Sequence, residues 1–427
     1  MHPTDCYNLL MIPRNLMPAI LEALSDTPVV LLDGARQTGK STLVQWLAKE
    51  AHPARYITLD DAAVLSAARG DPTGFLTGLD SPIVLDEVQR APELFLAIKA
   101  VVDRNRVPGH FLLTGSANPL LLPKLSESLS GRMEILSLWP FSQGELEGRP
   151  EDFVDRVFAG KLPQLSTSNL SRDELVKRVL TGGYPEVVGK ASTSRRSAWF
   201  RSYVTTIVQR EVRDLANIEH LTIMPRLLSL LAARAGALMN YTELSSSLGL
   251  PQSTLKRYMA LFEMTFLSQP LPAWSTNIGK RLIRSRKVVL NDTGLLAHLI
   301  GLNEERIKAD PNTFGPLLEN FVIMELRKQA TWSKIQPQFF HFRTRKGQEV
   351  DIVLENAAGE VVGIEVKASS TVKSSDFKGL NYLSELLGDR FLRGIVLYTG
   401  DQSVPFGSNL YAMPVSTLWR SGEVIRG

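Results

Sequence analysis

The sequence predicts an α/β protein: a parallel sheet covered by helices, then a mostly helical middle, then a second α/β unit. Three observations predict it. Over the first 150 residues, short apolar runs rich in β-branched residues alternate with helical patterns, as strands joined by crossover helices do. A glycine-rich turn, Gly34-Ala35-Arg36-Gln37-Thr38-Gly39-Lys40-Ser41, sits between the first such run and the helical pattern that follows it. From about residue 313, a helix precedes three alternating strands, a helix and a further strand.

Taken in order, Met17–Leu24 reads as a short amphipathic helix, and Pro28–Leu32 as a buried strand ending at Asp33-Gly34. A helix is expected over Ser41–Glu50. Strands are expected over Ala54–Leu59, Ser81–Leu85 and His110–Leu113, the last running into Thr114-Gly115-Ser116. The boundaries that follow are 1–150 for the first domain, 151–220 for a helical lid or connector punctuated by Gly182-Gly183-Tyr184-Pro185, 221–305 for a winged-helix-like unit and 306–427 for the last α/β domain. In that last part the expected strands are Gln338–Phe342, Glu349–Leu354, Val361–Val366 and Gly394–Tyr398.

A chain of 427 residues has room for about two to three domains and a core that needs no staples. With 44% hydrophobic and 22% charged residues, collagen-like and wholly disordered chains are excluded. The formal net charge of +4 permits a basic surface without establishing a polyanion partner, so any such argument must rest on clustering. Cys6 is the one cysteine, which excludes an intrachain disulfide and a Cys-rich zinc site and fits a reducing, cytoplasmic setting. The apolar stretch Leu9–Ile12 lacks a basic flank and is interrupted by Pro13-Arg14, so it makes a poor signal peptide. No apolar run reaches the length of a membrane span.

The glycine-rich turn matches the phosphate-binding loop G-x-x-x-x-G-K-[ST] in full, with a strand before it and a helix after it. Backbone N–H groups from Gly34 to Gly39, through Ala35, Arg36, Gln37 and Thr38, would wrap the phosphates of ATP, with Thr42 adjoining. Lys40 would reach the β- and γ-phosphates, and the Ser41 hydroxyl would hold Mg²⁺. The run Pro82–Glu87 supplies the second element, a strand ending in two carboxylates. Asp86 would orient Mg²⁺ and Glu87 would polarise the attacking water. An ordinary turn and a solvated strand end are the plainer reading, and the presence of both elements in order argues against it. Ser116, or Thr114, would sense the γ-phosphate, unless that strand simply ends in a turn. Arg132, after Gly131, would stabilise γ-phosphate charge in its own or a neighbouring subunit; otherwise it is an exposed structural arginine.

Two short helices joined at Gly249-Leu250-Pro251 are expected over Tyr241–Phe266, with Leu244, Leu248, Leu255, Tyr258, Met259 and Phe262 facing a core. Lys256 and Arg257 fall on the outer side of the second helix, where a helix-turn-helix enters a DNA groove. Lys280, Arg281, Arg284, Arg286 and Lys287 suit a basic strand pair on phosphates. Packing or protein contact is the competing use of such a unit, and a solvated face that of such a run.

In the last domain, Asp351 precedes a hairpin turn at 356–360 and Glu365 and Lys367 follow it. Direct pairing of 351 with 365 would set both carboxylates on one side of the sheet. A Mg²⁺ ion, with Mn²⁺ as substitute, would compensate them, held by Asp351, Glu365 and the Val366 carbonyl and completed by Glu319 from the preceding helix. Lys367 would then position or help deprotonate water. A solvated sheet face carrying an ion-pair ladder is the alternative.

These residues carry a resemblance. Val29–Leu47, Ile83–Pro92, Leu112–Ala117 and Ser130–Ser142, with Arg36-Gln37 inside the loop, resemble a large family of bacterial and archaeal AAA-type P-loop ATPases. Gly182–Val188, Lys287–Leu299 and Leu318-Glu319-Asn320 resemble the C-terminal part of that family, formerly a domain of unknown function. The order helix glutamate, hairpin aspartate, then E-x-K resembles the PD-(D/E)XK nuclease superfamily, with Val350 where proline is frequent. The resemblance implies an ATPase domain, a winged-helix segment and a nuclease-like domain, assembled as a homo-oligomeric ring such as a hexamer. It implies action on DNA, with Mg-ATP hydrolysis coupled to metal-dependent cleavage, and with His341, Arg343, Arg345 and Lys346 near the phosphate backbone. The alternative is a nucleotide-dependent switch that binds DNA or protein and carries a silent nuclease fold. A small-molecule phosphotransferase would leave Glu87 and the basic stretches unexplained.

Overall fold

The computed structural model describes residues 12–116, 129–160, 169–208, 221–277, 279, 281 and 285–420. Among them, the first sheet consists of β1 (Val29–Asp33), β2 (Arg55–Thr58), β3 (Ile83–Asp86), β4 (Phe111–Gly115) and β5 (Met133–Ser137). They are parallel and run in the order β2-β3-β4-β1-β5. Burial explains the sequence pattern. Every residue of β1, β3 and β4 is buried, so these strands read as unbroken apolar runs, whereas the edge strands β2 and β5 are mostly half-buried. β5 is a strand that periodicity did not announce, because Glu134 interrupts it and only Leu136 is fully buried. The order places β4 between β1 and β3, so the ends of all three lie side by side.

The middle of the chain is helical over Phe153–Phe158, Arg172–Thr181, Pro185–Val188, Thr193–Thr206 and Met224–Ala232. The helices Tyr241–Leu248 and Gln252–Met264 follow, joined by the expected turn, and the six anticipated core residues are all buried. Beside them β6 (Ser268–Leu271) pairs antiparallel with β7 (Lys287–Leu290).

A 17-residue helix, Phe314–Ala330, then leads into a sheet of β8 (Gln338–Arg343), β9 (Glu349–Glu355), β10 (Val361–Lys367), β11 (Phe391–Tyr398), β12 (Val404–Pro405) and β13 (Leu410–Pro414). Its order is β12-β13-β11-β10-β9-β8. β8 to β10 form an antiparallel meander; β10, β11 and β13 are parallel, with the helix Lys378–Leu387 packed against the sheet. One apolar core runs from the middle helices through Phe314–Ala330 to one side of this sheet, joining Leu227, Leu295, Leu318, Ile352, Ile364 and Leu418. The long helix also grips the first domain. Glu325 accepts from the Gln143 N–H at 2.8 Å, and Lys328 donates to the Phe141 carbonyl at 2.9 Å.

Candidate functional site

The turn after β1 has the shape its sequence demands. Gly34 has φ of +143°, and a Cβ there would lie 2.3 Å from the Leu138 carbonyl oxygen, so only glycine fits. Gly39 (φ +95°) and Gln37 (φ +61°) hold the left-handed turns that bring the loop round to the helix Lys40–Trp46. Lys40 is buried, and its ammonium donates to the carbonyls of Gly34 at 2.9 Å and Ala35 at 2.8 Å. Burial lowers its pKa, while Glu87, Asp33 and Asp86 pull the other way. Thr38 is fully buried, Arg36 and Ser41 are half-buried, and Gln37 and Thr42 are exposed.

At the end of β3 the Asp86 carboxylate takes three hydroxyl donors. Ser41 donates at 3.1 Å to Oδ1, Tyr56 at 2.8 Å to Oδ2, and Thr114 from the neighbouring β4 to Oδ1. Thr114 Oγ1 also accepts the Glu87 N–H at 2.9 Å. Glu87 stands at φ +62°, and its carboxylate is held by the Ser116 hydroxyl (2.9 Å to Oε2) and by Gln89. Asp33, at the end of β1, accepts from Ser137 at 2.6 Å. Burial pushes its pKa up to about 7, against the pull of that hydrogen bond and of Lys40. The structure therefore brings Lys40, Ser41, Asp86, Glu87, Thr114 and Ser116 together, with Ser116 on Glu87. This donor set, one carboxylate and one hydroxyl beside a buried lysine bonded to its own loop, fits Mg²⁺, which keeps waters and phosphate oxygens as its other ligands.

Arg132 lies elsewhere. It precedes Met133, whose register partner is Val29 at the start of β1, so Arg132 sits at the end of the sheet opposite the glycine-rich loop. There it pairs with Asp103 and donates to the Ser130 carbonyl at 3.0 Å. It does not reach the nucleotide site of its own subunit.

Arg14 was missed. It is buried, pairs with Glu145 at 3.1 Å and lies over the Phe141 ring. Its guanidinium donates to the carbonyls of Thr38 (2.8 Å) and Trp139 (2.6 Å), clasping the loop to the segment after β5. The only sequence signal was an arginine inside an apolar stretch. A tyrosine pair was missed as well. Tyr203 donates to the Arg36 carbonyl at 3.4 Å, Tyr184 and Tyr203 share a hydrogen bond at 2.8 Å, and Asn291 Nδ2 donates to Tyr184 at 3.1 Å. This buried series runs from the loop to the residue that follows β7.

In the C-terminal sheet, β9 and β10 pair with Glu355 opposite Val361 and Ile352 opposite Ile364, a register whose next step sets Asp351 against Glu365. The Asp351 N–H donates to Glu365 at 3.3 Å, and the Val366 N–H donates to Asp351 at 2.9 Å. Lys367 pairs with Glu365 at 2.7 Å. Beside them a cleft of about 650 Å³ is also lined by Lys346, Lys378, Asn381 and Tyr382.

Lys287 overturns one expectation. Far from meeting phosphates on a basic strand pair, it is 2% exposed and pairs with Glu319 at 2.8 Å, Glu349 at 3.1 Å and Asp351 at 3.5 Å. Arg281 is also turned inward, paired with Glu355 and stacked over Trp274 and Phe340. Arg286 stays on the surface, and Lys280 and Arg284 lie outside the described residues. His341 is likewise no phosphate contact. It is buried against the Ser285 carbonyl, and burial lowers its pKa to about 4. Arg343, Arg345 and Lys346 are exposed.

Burial, then the charge of Asp351, pushes Glu365 up to about 8 and Glu319 up to about 7, against the pull of Lys367 and Lys287 respectively. Burial works against the Lys287 ammonium, yet Glu319, Asp351 and Glu349 hold its pKa above the ordinary lysine range. Among the described residues, no three acidic, histidine or cysteine groups are placed to hold one metal ion. The expected Mg²⁺ or Mn²⁺ set of Asp351, Glu365 and the Val366 carbonyl, completed by Glu319, does not fit as the chain stands, because the Lys287 ammonium lies among the carboxylates, paired with Glu319 and Asp351.

Comparisons with known proteins agree with the first site. Residues 26–147 match an AAA domain, residues 172–306 a domain of unknown function (DUF8612) and residues 314–418 another (DUF4143). The N-terminal part is thus an AAA-type ATPase domain. The Mycobacterium tuberculosis H37Rv "uncharacterized protein Rv2008c" is 31% identical over 99% of this chain and 88% of its own length. Mycobacterium bovis Mb2031c matches to the same extent. Among solved structures, a variant of Thermotoga maritima RuvB overlaps 69% of this chain and 93% of its own, with a TM-score of 0.31 and 19% identity. So loose a superposition says nothing about activity. No helix among the described residues is long and apolar enough to cross a membrane.

Proposed function

This chain belongs to the family of the mycobacterial protein Rv2008c, and we propose that it is an ATP-driven switch that acts on DNA. The observation that carries the reading is the Asp86-Glu87 pair at the end of β3, beside the glycine-rich loop and tied to it through Ser41. ATP would bind with its phosphates along Gly34–Thr42. Lys40 would exchange the Gly34 and Ala35 carbonyls for β- and γ-phosphate oxygens. Ser41 and Asp86 would hold Mg²⁺, which when bound neutralises phosphate charge. Glu87, steadied by Ser116 and Gln89, would orient a water on the γ-phosphorus; the bridging oxygen leaves with ADP. Arg132, remote from its own site, would serve a neighbouring subunit in a ring, of which a hexamer is the family expectation.

DNA contact is supported by the helix Gln252–Met264, which exposes Lys256 and Arg257 beside the β6–β7 pair. From Phe314 to Tyr398 the chain follows the order helix, three strands, helix, strand, which supports a nuclease-like domain. Of the two readings of that domain, Lys287 favours the silent one over a metal-dependent nuclease, because the carboxylates already have a cation. The test is ATP turnover with and without duplex DNA. DNA is expected to stimulate turnover. Lys256→Ala with Arg257→Ala is expected to weaken DNA binding and to lower its salt slope by about 1 for each phosphate no longer neutralised. Turnover indifferent to every DNA form would overturn the DNA part of the reading.

A further inference from the structure

β7 carries a lysine into the C-terminal carboxylate cluster from outside the C-terminal sheet. The three carboxylates within reach of Lys287 Nζ, those of Glu319, Glu349 and Asp351, match the three hydrogens of an ammonium. The remaining carboxylate, Glu365, is served by Lys367. Each carboxyl group of the cluster thus has a cationic neighbour supplied by the chain itself.

The strand that carries Lys287 is held in place. The Lys287 backbone pairs with Leu271 in the β6–β7 ladder and bridges Leu238 on its other side. At the far end of β7, Asn320 bonds both the N–H and the C=O of Leu290, each at 2.8 Å. A divalent ion binds carboxylate oxygen at roughly 2.0–2.6 Å. An ion on Glu319 and Asp351 would therefore lie against the ammonium those carboxylates already hold, where burial leaves the repulsion poorly screened. Removing the lysine instead would leave buried carboxylates without compensation, which is costly unless another cation arrives.

We infer that Lys287 takes the place of a divalent metal ion in the C-terminal carboxylate cluster, closing it to Mg²⁺ and Mn²⁺. The cluster is a cation site filled from within, and its role in this chain is to dock β7 onto the C-terminal sheet. This role is independent of ATP turnover at the first site.

The test is Mn²⁺ binding to the nucleotide-free full chain, read by calorimetry and by the shift in melting temperature. Wild type and Lys287→Arg are expected to show no binding that depends on Asp351. Lys287→Met, close to lysine in volume but uncharged, is expected to melt lower without metal, to bind one Mn²⁺ and to regain stability with it. Adding Asp351→Asn should abolish that gain. Where Lys287→Met does not fold, Lys287→Gln, which keeps a donor for Glu319, replaces it, and the wild-type titration stands on its own. Mn²⁺ binding by wild type that is lost in Asp351→Asn would overturn the inference. A folded Lys287→Met that takes no metal would overturn it too, leaving Lys287 a plain ion-pair partner.

Discussion

Two regions of this chain set carboxylates beside a buried lysine, and the two lysines are used in opposite ways. At the end of β3, Lys40 bonds to carbonyls of its own loop, and among the described residues the Asp86 carboxylate has only hydroxyl partners, from Ser41, Tyr56 and Thr114. Among the described residues no cationic side chain is paired with the carboxylate that would orient a metal. Near the start of β9, Lys287 is bonded directly to Glu319 and Asp351. The first arrangement keeps its cation in reserve for an incoming polyanion. The second has committed it to internal neutrality. Similar residue types therefore do not imply similar chemistry; what separates the sites is whether the lysine's partners are backbone carbonyls or the carboxylates themselves.

The sharpest way to break this contrast is to remove each lysine. Lys40→Ala is expected to lower ATP turnover by about 100-fold or more, the scale seen when a transition-state charge partner is lost, while leaving the melting temperature close to wild type. Lys287→Met is expected to cost about 3–5 kcal/mol of stability in metal-free buffer, as when one partner of a buried pair is deleted, measured by denaturant unfolding. If instead Lys40→Ala melted and Lys287→Met did not, the roles would be reversed.

A smaller effect comes from Asp33. Its folded pKa, raised to about 7 by burial, exceeds the ordinary carboxyl value of 3.8. The folded chain thus holds a proton that the unfolded chain releases, and this contribution to stability is full below about pH 4 and lost as the pH rises through about 7. Asp33→Asn is expected to flatten that decline, gaining more on wild type at about pH 8 than at about pH 5 in denaturant unfolding. The smallest effect is expected from Tyr184→Phe, which breaks the series from the Arg36 carbonyl to Asn291 at a cost of about 1 kcal/mol in thermal unfolding. The cost is modest because the ring packing against Trp199 and Phe200 survives.

The first site was legible because its chemistry is local: a run of consecutive residues, Gly34 to Ser41, makes the loop, and a strand followed by Asp86-Glu87 makes its partner. The β9–β10 register was legible for the same reason, since the short hairpin turn at 356–360 fixes which residues oppose. What escaped was long-range. Arg14 meets Glu145 from the far side of the first sheet's sequence, and Lys287 meets Asp351 across 64 residues. A basic run reads as a surface feature until the fold turns Arg281 and Lys287 inward, and no spacing rule signals that. The place of Arg132 at the far end of the sheet was not legible, because β5 itself was hidden by its half-exposed pattern.

The most direct test puts both sites in one tube: purified protein, Mg-ATP, then Mn²⁺ in place of Mg²⁺, with labelled single- and double-stranded DNA. ATP is expected to be turned over in a manner lost in Lys40→Ala, while the DNA stays intact under every condition. Metal-dependent cleavage by wild type that disappears in Lys367→Ala would contradict this, and would mean that the C-terminal carboxylates exchange Lys287 for a metal after all.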